Sequence, residues 1–407
     1  MPGDRGYPTQ MKEAIARETG LPVAEVEKVL RRLQASALAA RAEARAADAP
    51  DPAGYRISGY APNDRRAVAH LQRLLWRGGP RGNAAYLEWK YHRNPYLDPR
   101  YLVLAWEGDE LAGMIGAFGA LWQAPGGERM MLPCLADTVV EVSRRGGPLF
   151  ARMLDELLAR LRADRVPWLL DFGDQPAGAA MLMRGWKAVG PWAVAAATRQ
   201  GPAGEHRSWL YRPLRDLRGT RSGVPIRTAL RPAAATLEAI AELVERLPPH
   251  PGVRHVRDVE YLAWRGSNPL AQYFYLTAGP PRRPEGYLVA HRARVDPQTR
   301  GRLAPTTIME CDATSDAVWM DLLEAAQSLL PGGVLLMWAR DVAPARLDGL
   351  PALGFTLDAP TGRLTHDAHL PNLLVHPVAE LPPESPFARL DTPAAWDLRA
   401  VCGRSWR

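Results

Sequence analysis

The chain of 407 residues has few of the features that would narrow its chemistry at once. Cysteine is scarce: Cys134, Cys311 and Cys402 are the whole supply, and no Cys-x-x-Cys pair occurs. That excludes a disulfide framework and a thiolate metal site, and points to a reducing, cytoplasmic setting. No run of about 18 apolar residues exists, so no membrane-spanning helix is expected. The opening stretch "MPGDRGYPTQMKEAIARETG" lacks the apolar centre of a secretion signal. The nine histidines show no metal-ligand spacing, so no metal is expected, and His250 and His255 are read as surface residues on a loop. Lys/Arg blocks are missing too. The net charge of +7 is spread over single arginines and short pairs, which suits a phosphate-bearing cofactor as well as a nucleic-acid surface.

What is present is ordinary globular material, 47% hydrophobic and 23% charged, in a chain long enough for two domains. Residues 10–47 carry aliphatics at helical spacing, broken at Gly20-Leu21-Pro22. This helical extension over 1–50 fits a tight helical hairpin, and also a helix-turn-helix. "ADAPDPAG" then reads as a linker. From residue 55 to 200 strands alternate with helices. "YLVLAWEGDELAGMIGAFGAL" is a pair of strands around a turn, "RMMLPCLADTVVEV" one or two more, "PLFARMLDELLARLRADR" a long helix and "VPWLLDFG" a buried strand. "AGAAMLMRGW" is a short helix stopped by Gly185, and "KAVGPWAVAAATR" reads as a single strand. The same order returns in the second half.

The return is also literal. "YLEWKYHRNP" begins at Tyr86 and "YLAWRGSNP" at Tyr261, an offset of 175 (261 minus 86). "TVVEVSRRGGPLFARMLDELL" lies without a gap over "TIMECDATSDAVWMDLLEAAQ" at an offset of 169 (307 minus 138), which sets Glu141 over Glu310. The chain therefore reads as a tandem duplication of one α/β module, over 53–205 and 215–385. Trp89, Trp264, Tyr86 and Tyr261 are expected to be core anchors, and the Asn-Pro pairs to be turns.

The element order, together with "YLEWKYHRNP", "DTVVEVSRRGGPLF", "MRGW" and "ALGF", resembles the GNAT acyltransferase superfamily over roughly residues 53 to 385. The resemblance implies two mixed α/β (α+β) modules, each with a largely antiparallel central sheet flanked by helices. It implies acetyl-CoA or another acyl-CoA as cofactor, lying in a splay between two strands. The phosphates would rest at a loop whose family pattern falls on Arg145, Gly146, Gly147, Pro148, Leu149 and Phe150, with Arg144 adding charge and Val140 and Val142 on the strand edge. The pattern departs from the family at Pro148, which has no N–H to offer. The second copy, "DATSDAVW", has neither glycine nor base and carries Asp312 and Asp316, so the second module is expected to bind no coenzyme A. That asymmetry resembles tandem enzymes such as mycothiol synthase, in which one module works and the other supports it.

Amine acylation needs a base, and three carboxylates are candidates: Glu141, then Asp137, then Asp174. Asp137, Val139 and Glu141 are expected to share one strand face. The family's usual acid, a tyrosine, is replaced by Met181 and Leu350. Three functions follow. The first is acyl transfer from acyl-CoA to a small-molecule amine. The second is aminoacyl transfer from a charged tRNA in a biosynthetic pathway, favoured by the degraded loop and the basic balance. The third is a non-enzymatic binding or regulatory protein. The oligomeric state is left open by the sequence.

Overall fold

In the computed structural model, the described residues are 23–24, 54–76, 79–97, 99–145, 147–172, 181–182, 184–198, 214–248, 250–293, 305–361 and 370–403. Of the helical extension over 1–50, only 23–24 fall within these, and they are helical. In the first half the strands are β1 (Arg56–Gly59), β2 (Leu102–Glu107), β3 (Glu110–Gln123), β4 (Arg129–Val140), β5 (Trp168–Asp171), β6 (Lys187–Pro191) and β7 (Val194–Thr198). The second half supplies β8 (Ile226–Ala229), β9 (Val253–His255), β10 (Ala271–Ala278), β11 (Gly286–Ala293), β12 (Thr306–Ala313) and β13 (Val334–Trp338). β14 (Phe355–Asp358), β15 (Asn372–Pro377) and β16 (Trp396–Asp397) complete the set. The helices used below are α1 (Arg65–Leu71), α2 (Pro80–Leu87), α3 (Leu149–Ala163), α4 (Ala234–Arg246), α5 (Val259–Gly266), α6 (Asp316–Leu329) and α7 (Ala400–Gly403).

Two mixed, mostly antiparallel sheets result, and they exchange a strand. The first runs β1-β2-β3-β4-β5-β15-β6, with β9 and β16 attached beyond β3; the second runs β14-β7-β13-β12-β11-β10-β8. Thus β15, from the end of the chain, pairs antiparallel with both β5 and β6 of the first sheet. In return β7 pairs with β13 and β14 of the second. "KAVGPWAVAAATR" is therefore two strands rather than one. The chain leaves the first sheet at Trp192, whose N–H donates to Pro371 O at 3.1 Å, and Ala193 O in the next sheet accepts from Ala339 N at 2.9 Å. Both sheets thus take strands from either side of the division expected between 205 and 215.

Packing follows the duplication. α3 buries Leu149, Met153, Leu154, Leu157, Leu158 and Leu161 at three- and four-residue spacing, with Arg and Glu turned outward, on one face of the first sheet. α6 does the same for the second. The opposite faces of both sheets share one central core, holding Leu71, Tyr86, Trp89, Phe118 and Val139 from the first half and Tyr261, Trp264, Tyr273, Met309 and Trp338 from the second. The repeated phrase lies at its middle. The Trp89 indole N–H donates to Trp264 O at 2.7 Å, and the Trp264 indole N–H donates to Trp89 O at 2.7 Å. The two rings stack 4.9 Å apart with 10° between their planes. Residue i bonding j while j bonds i is the mark of a twofold contact, here within one chain. Both Asn-Pro turns repeat as well: Asn94 Oδ1 accepts from Tyr96 N, and Asn268 Oδ1 from Leu270 N, each at 2.9 Å.

Candidate active site

β4 and β5 are parallel and share one ladder pair, Cys134 with Leu170. β4 then runs on to Val140, bonded on its other side to β3. Among the described residues, the edge of β4 beyond Cys134 that faces β5 carries no ladder partner, and this is the opening in the first module. At its far end Glu141 N–H still donates to Ala112 O at 2.8 Å; a short 3₁₀ turn follows over Val142–Arg144, and α3 starts at Leu149. The helix has Pro148 at its N-cap and no side-chain cap, so no side chain answers its first N–H groups.

Each residue singled out from the sequence can be placed around this opening. Glu141 is half-buried at the end of β4, and no described side chain pairs with it. Asp137 is buried, with its carboxylate held by Lys90 Nζ at 3.0 Å and by the Tyr91 hydroxyl at 3.0 Å. The expected alternation through Asp137, Val139 and Glu141 is interrupted. The register shifts between Met114 and Gly116, so Asp137 and Thr138 together oppose Ile115 in a β-bulge. Arg144 turns to the β2–β3 hairpin, where Nε donates to Glu107 Oε2 at 2.6 Å and Nη2 to Glu110 Oε2 at 3.4 Å. Arg145 is exposed, and its Nε donates to Val140 O at 3.1 Å, on the edge of β4. Val140 is half-buried, Val142 is 58% exposed, Leu149 is buried and Phe150 packs partly against the outer core. Gly147 is described and half-buried; Gly146 and Asp174 lie outside the described residues.

The second module answers the same geometry differently. β12 and β13 hold three parallel pairs, at Thr306, Thr307 and Ile308. The space beyond is taken by Leu398, Arg399 and Ala400 of the C-terminal segment, leaving a cavity of about 30 Å³. Leu398 N–H donates to Asp341 Oδ2 at 2.7 Å, and Arg399 Nη1 to Asp312 Oδ1 at 2.7 Å. Arg257 Nη1 reaches Asp312 at 3.1 Å, and the Tyr287 hydroxyl donates to Glu310 Oε2 at 2.5 Å. Burial raises the Glu310 carboxyl above its ordinary range, against the pull of Arg257. The helix start is closed too: Ser315 Oγ accepts from Val318 N at 3.3 Å, and Asp316 pairs with Arg346 at 2.7 Å. Glu141 and Glu310, aligned in sequence, are thus half-exposed in one module and fully buried in the other.

Sequence reading missed this C-terminal segment because "AAWDLRAVCG" carries no periodic pattern or motif. It also missed Lys90 and Tyr91, whose partner Asp137 lies 47 and 46 residues away. His255, expected on a surface loop, is 3% exposed between Trp122 and Tyr261, with ring centroids at 5.2 and 4.3 Å. Cys134 and Cys311 are buried as expected, and burial raises both thiols well above their ordinary range. A cavity of about 740 Å³ lies elsewhere, between the segment Leu230–Pro232, the end of α5 and β10. Beside its apolar side chains it is lined, among the described residues, by Arg231, Ser267, Asn268, Gln272 and two tyrosines, with no carboxylate or imidazole to take a proton from an amine. Among the described residues no group of His, Cys, Asp or Glu is placed to hold a metal, and no helix is long and apolar enough to cross a membrane.

Residues 56–177 match the model of the acetyltransferase (GNAT) domain. The chain carries a GNAT domain. Among solved structures, a GCN5-related N-acetyltransferase from Anabaena variabilis superposes with a TM-score of 0.55 at 12% identity, covering 80% of this chain and 73% of that one. A probable N-acyltransferase from Enterococcus faecalis gives 0.53 at 12% identity, covering 80% and 73%. A tandem GNAT protein from the clavulanic acid biosynthesis pathway gives 0.50 at 12% identity, covering 81% of this chain and 100% of that one. At such identities the likeness is one of fold, and the described residues of the two halves have a tandem GNAT-like fold. No curated protein matches by sequence. GNAT folds in general bind acyl-CoA and transfer acyl groups, which sets the frame for the reading below.

Proposed function

We propose that this GNAT protein transfers an acyl group from acetyl-CoA or a related acyl-CoA to the amine of a small acceptor, with the first module as the working one. The observation that carries this reading is the contrast between an unpaired edge of β4 leading to an uncapped helix and a second opening filled by Leu398–Ala400. An extended donor arm would lie on β4 past Val140 and Val142 as an added strand. Its pyrophosphate would sit at Gly146, Gly147 and the first turn of α3, at Leu149 and Phe150, where N–H groups and the helix dipole favour an anion. Arg145 would exchange Val140 O for a phosphate oxygen, whereas Arg144 stays with Glu107.

In this reading Glu141 removes the proton from the acceptor ammonium. The amine attacks the thioester carbonyl, the tetrahedral adduct expels the thiolate, the adduct's nitrogen gives its second proton to solvent to leave the amide, and solvent supplies the proton that the thiolate takes up. Asp137, whose oxygens already accept from Lys90 and Tyr91, is the second candidate, and Asp174 keeps its place as a third. The buried cysteines suit a reducing, cytoplasmic setting. A second reading, transfer from a charged tRNA, is favoured by the commitment of Arg144 to two glutamates and by Pro148, both of which thin the phosphate cradle.

Titration calorimetry of the full chain with acetyl-CoA is expected to give one site. Pro148→Gly is expected to tighten it, because one restored hydrogen bond gives about 1 kcal/mol against about 0.4–1 kcal/mol of added loop flexibility, so the sign of the change is the readout. No heat at millimolar acetyl-CoA from either protein overturns the reading. Retention of charged tRNA with a steep salt slope would then install the second.

A further inference from the structure

Four unfavourable features converge at one point of the first opening. Asp137 has a φ of 52°, the left-handed region that a non-glycine residue enters only at a cost. It lies in the bulge where Asp137 and Thr138 oppose Ile115. Its partner Lys90 is 2% exposed, with its ammonium 5.0 Å from the Phe118 ring, 5.4 Å from Tyr86 and 5.8 Å from Tyr91. Apolar side chains of similar volume commonly replace such a buried pair with no loss of stability. Lys90 and Tyr91 in turn sit where α2 widens into a π turn over Glu88–His92, a form rare in helices and frequent at functional sites. Space is also reserved for them: a Cβ on Gly116 would collide with the Tyr91 hydroxyl.

The second module has the repeated phrase without this device. At the offset of 175, Lys90 becomes Arg265 and Tyr91 becomes Gly266, so the phrase itself carries no hydroxyl there. α5 ends as a regular helix at Gly266, and the bulge in β12 falls at Met309, with no positive φ. The buried carboxylate there is Glu310, held by Arg257 and the Tyr287 hydroxyl from other elements. Among the described residues, a left-handed bulge held by the repeated phrase occurs in the module whose strand edge is open.

We infer that Lys90, Tyr91 and Asp137 are positioning residues that hold the bulge of β4 in the shape that receives the acyl end of the donor. The inference rests on the acyl-CoA reading above. A donor arm that enters at Arg145 and runs back along β4 meets the bulge at its far end, three residues past the last pair with β5 (137 minus 134). The Tyr91 hydroxyl remains a donor to Asp137, because burial, and then the Asp137 charge, raise the phenol well above its ordinary range. Both Asp137 oxygens thus accept from fixed donors, one from Lys90 and one from Tyr91.

The test compares two probes on the full chain: acetyl-CoA, which carries the acyl group, and free coenzyme A, which lacks it. The wild type is expected to prefer acetyl-CoA by about tenfold, near 1.4 kcal/mol. Lys90→Met/Asp137→Asn replaces the charged pair with neutral groups of similar size, and asparagine tolerates the left-handed backbone. Tyr91→Phe is the milder variant, removing one hydroxyl. Both are expected to bind free coenzyme A within about twofold of wild type while the preference falls toward one, more completely in the double variant. An unchanged preference overturns the inference, as does an equal loss for both probes, which would mark a purely structural role. A wild type that binds acetyl-CoA without preference also removes the inference but leaves the acyl-CoA reading; a wild type that binds neither probe removes both.

Discussion

In the first module β4 parts from β5 after one pair and its edge stays open toward an uncapped helix. In the second, β12 and β13 keep three pairs, Ser315 caps the helix, and the chain's own Leu398, Arg399 and Ala400 fill the space between the strands. Duplication makes two equivalent openings, but the segment Leu398–Ala400 lies outside the repeat and occurs once, so it fills only one of them. The asymmetry is thus imposed from outside the repeat as much as by drift within it. What remains symmetric is the seam, where Trp89 and Trp264 bond each other in the same way.

That symmetry can be broken most sharply at the tryptophans. Trp89→Ala and Trp264→Ala should each lower stability by about 3–5 kcal/mol, the range for truncating a buried aromatic, and by the same amount as each other. Urea unfolding of both variants checks this; a large difference between them would show that the seam is only formally twofold. Acid should have the next largest effect. Burial lowers the imidazoles of His255, at the seam, and His291, in the second module, to about 3. Their ordinary value is about 6.5, so as pH falls below that the unfolded chain takes up protons that the folded chain refuses. Stability present at neutral pH is lost between about 6.5 and 3, by up to about 1.4 kcal/mol per pH unit for each ring. Unfolding measured at pH 7 and pH 5 should show the slope. His255→Phe and His291→Phe should each reduce it, and a slope unchanged in either variant would place the titration elsewhere.

The smallest effect separates the openings. Arg399→Gln leaves Asp312 to Arg257 alone and should lower stability by about 2 kcal/mol. That is below the usual 3–5 for breaking a buried pair, since 22% of the Arg399 side chain reaches solvent. Hydrogen exchange should quicken at Leu398–Cys402 and around Asp312, and stay unchanged around Asp137 and the start of α3. Quickening in the first opening as well would mean that the two are coupled through α7 rather than independent.

Much of this architecture was legible in the residues. The repeated Tyr-Leu-x-Trp phrase, the turn glycines and the periodic leucines of α3 gave the module, its duplication and the uneven quality of its two loops. Hydrophobic spacing is a local signal, and these elements are local. Other parts were illegible for a physical reason. The buried state of His255, the capture of Asp137 by Lys90 and Tyr91, and the commitment of Arg144 to Glu107 and Glu110 are contacts between residues far apart in the chain. A charge that looks available in sequence is spoken for only when folding brings its partner near.

The sequence by itself determined that two α/β modules exist, that the first kept Arg145 and the glycines before its long helix, and that the second lost them. Local propensity and spacing suffice for that. Tertiary structure alone decided which strand completes which sheet. "KAVGPWAVAAATR" holds two equally apolar strands, and nothing local says that the chain must cross sheets at Trp192. It also decided that the C-terminal segment should settle in the second opening. The ion pairs of Arg399 with Asp312 and Asp397, and the burial of Leu398, Ala400 and Cys402 in the shared core, have no counterpart until both sheets are formed.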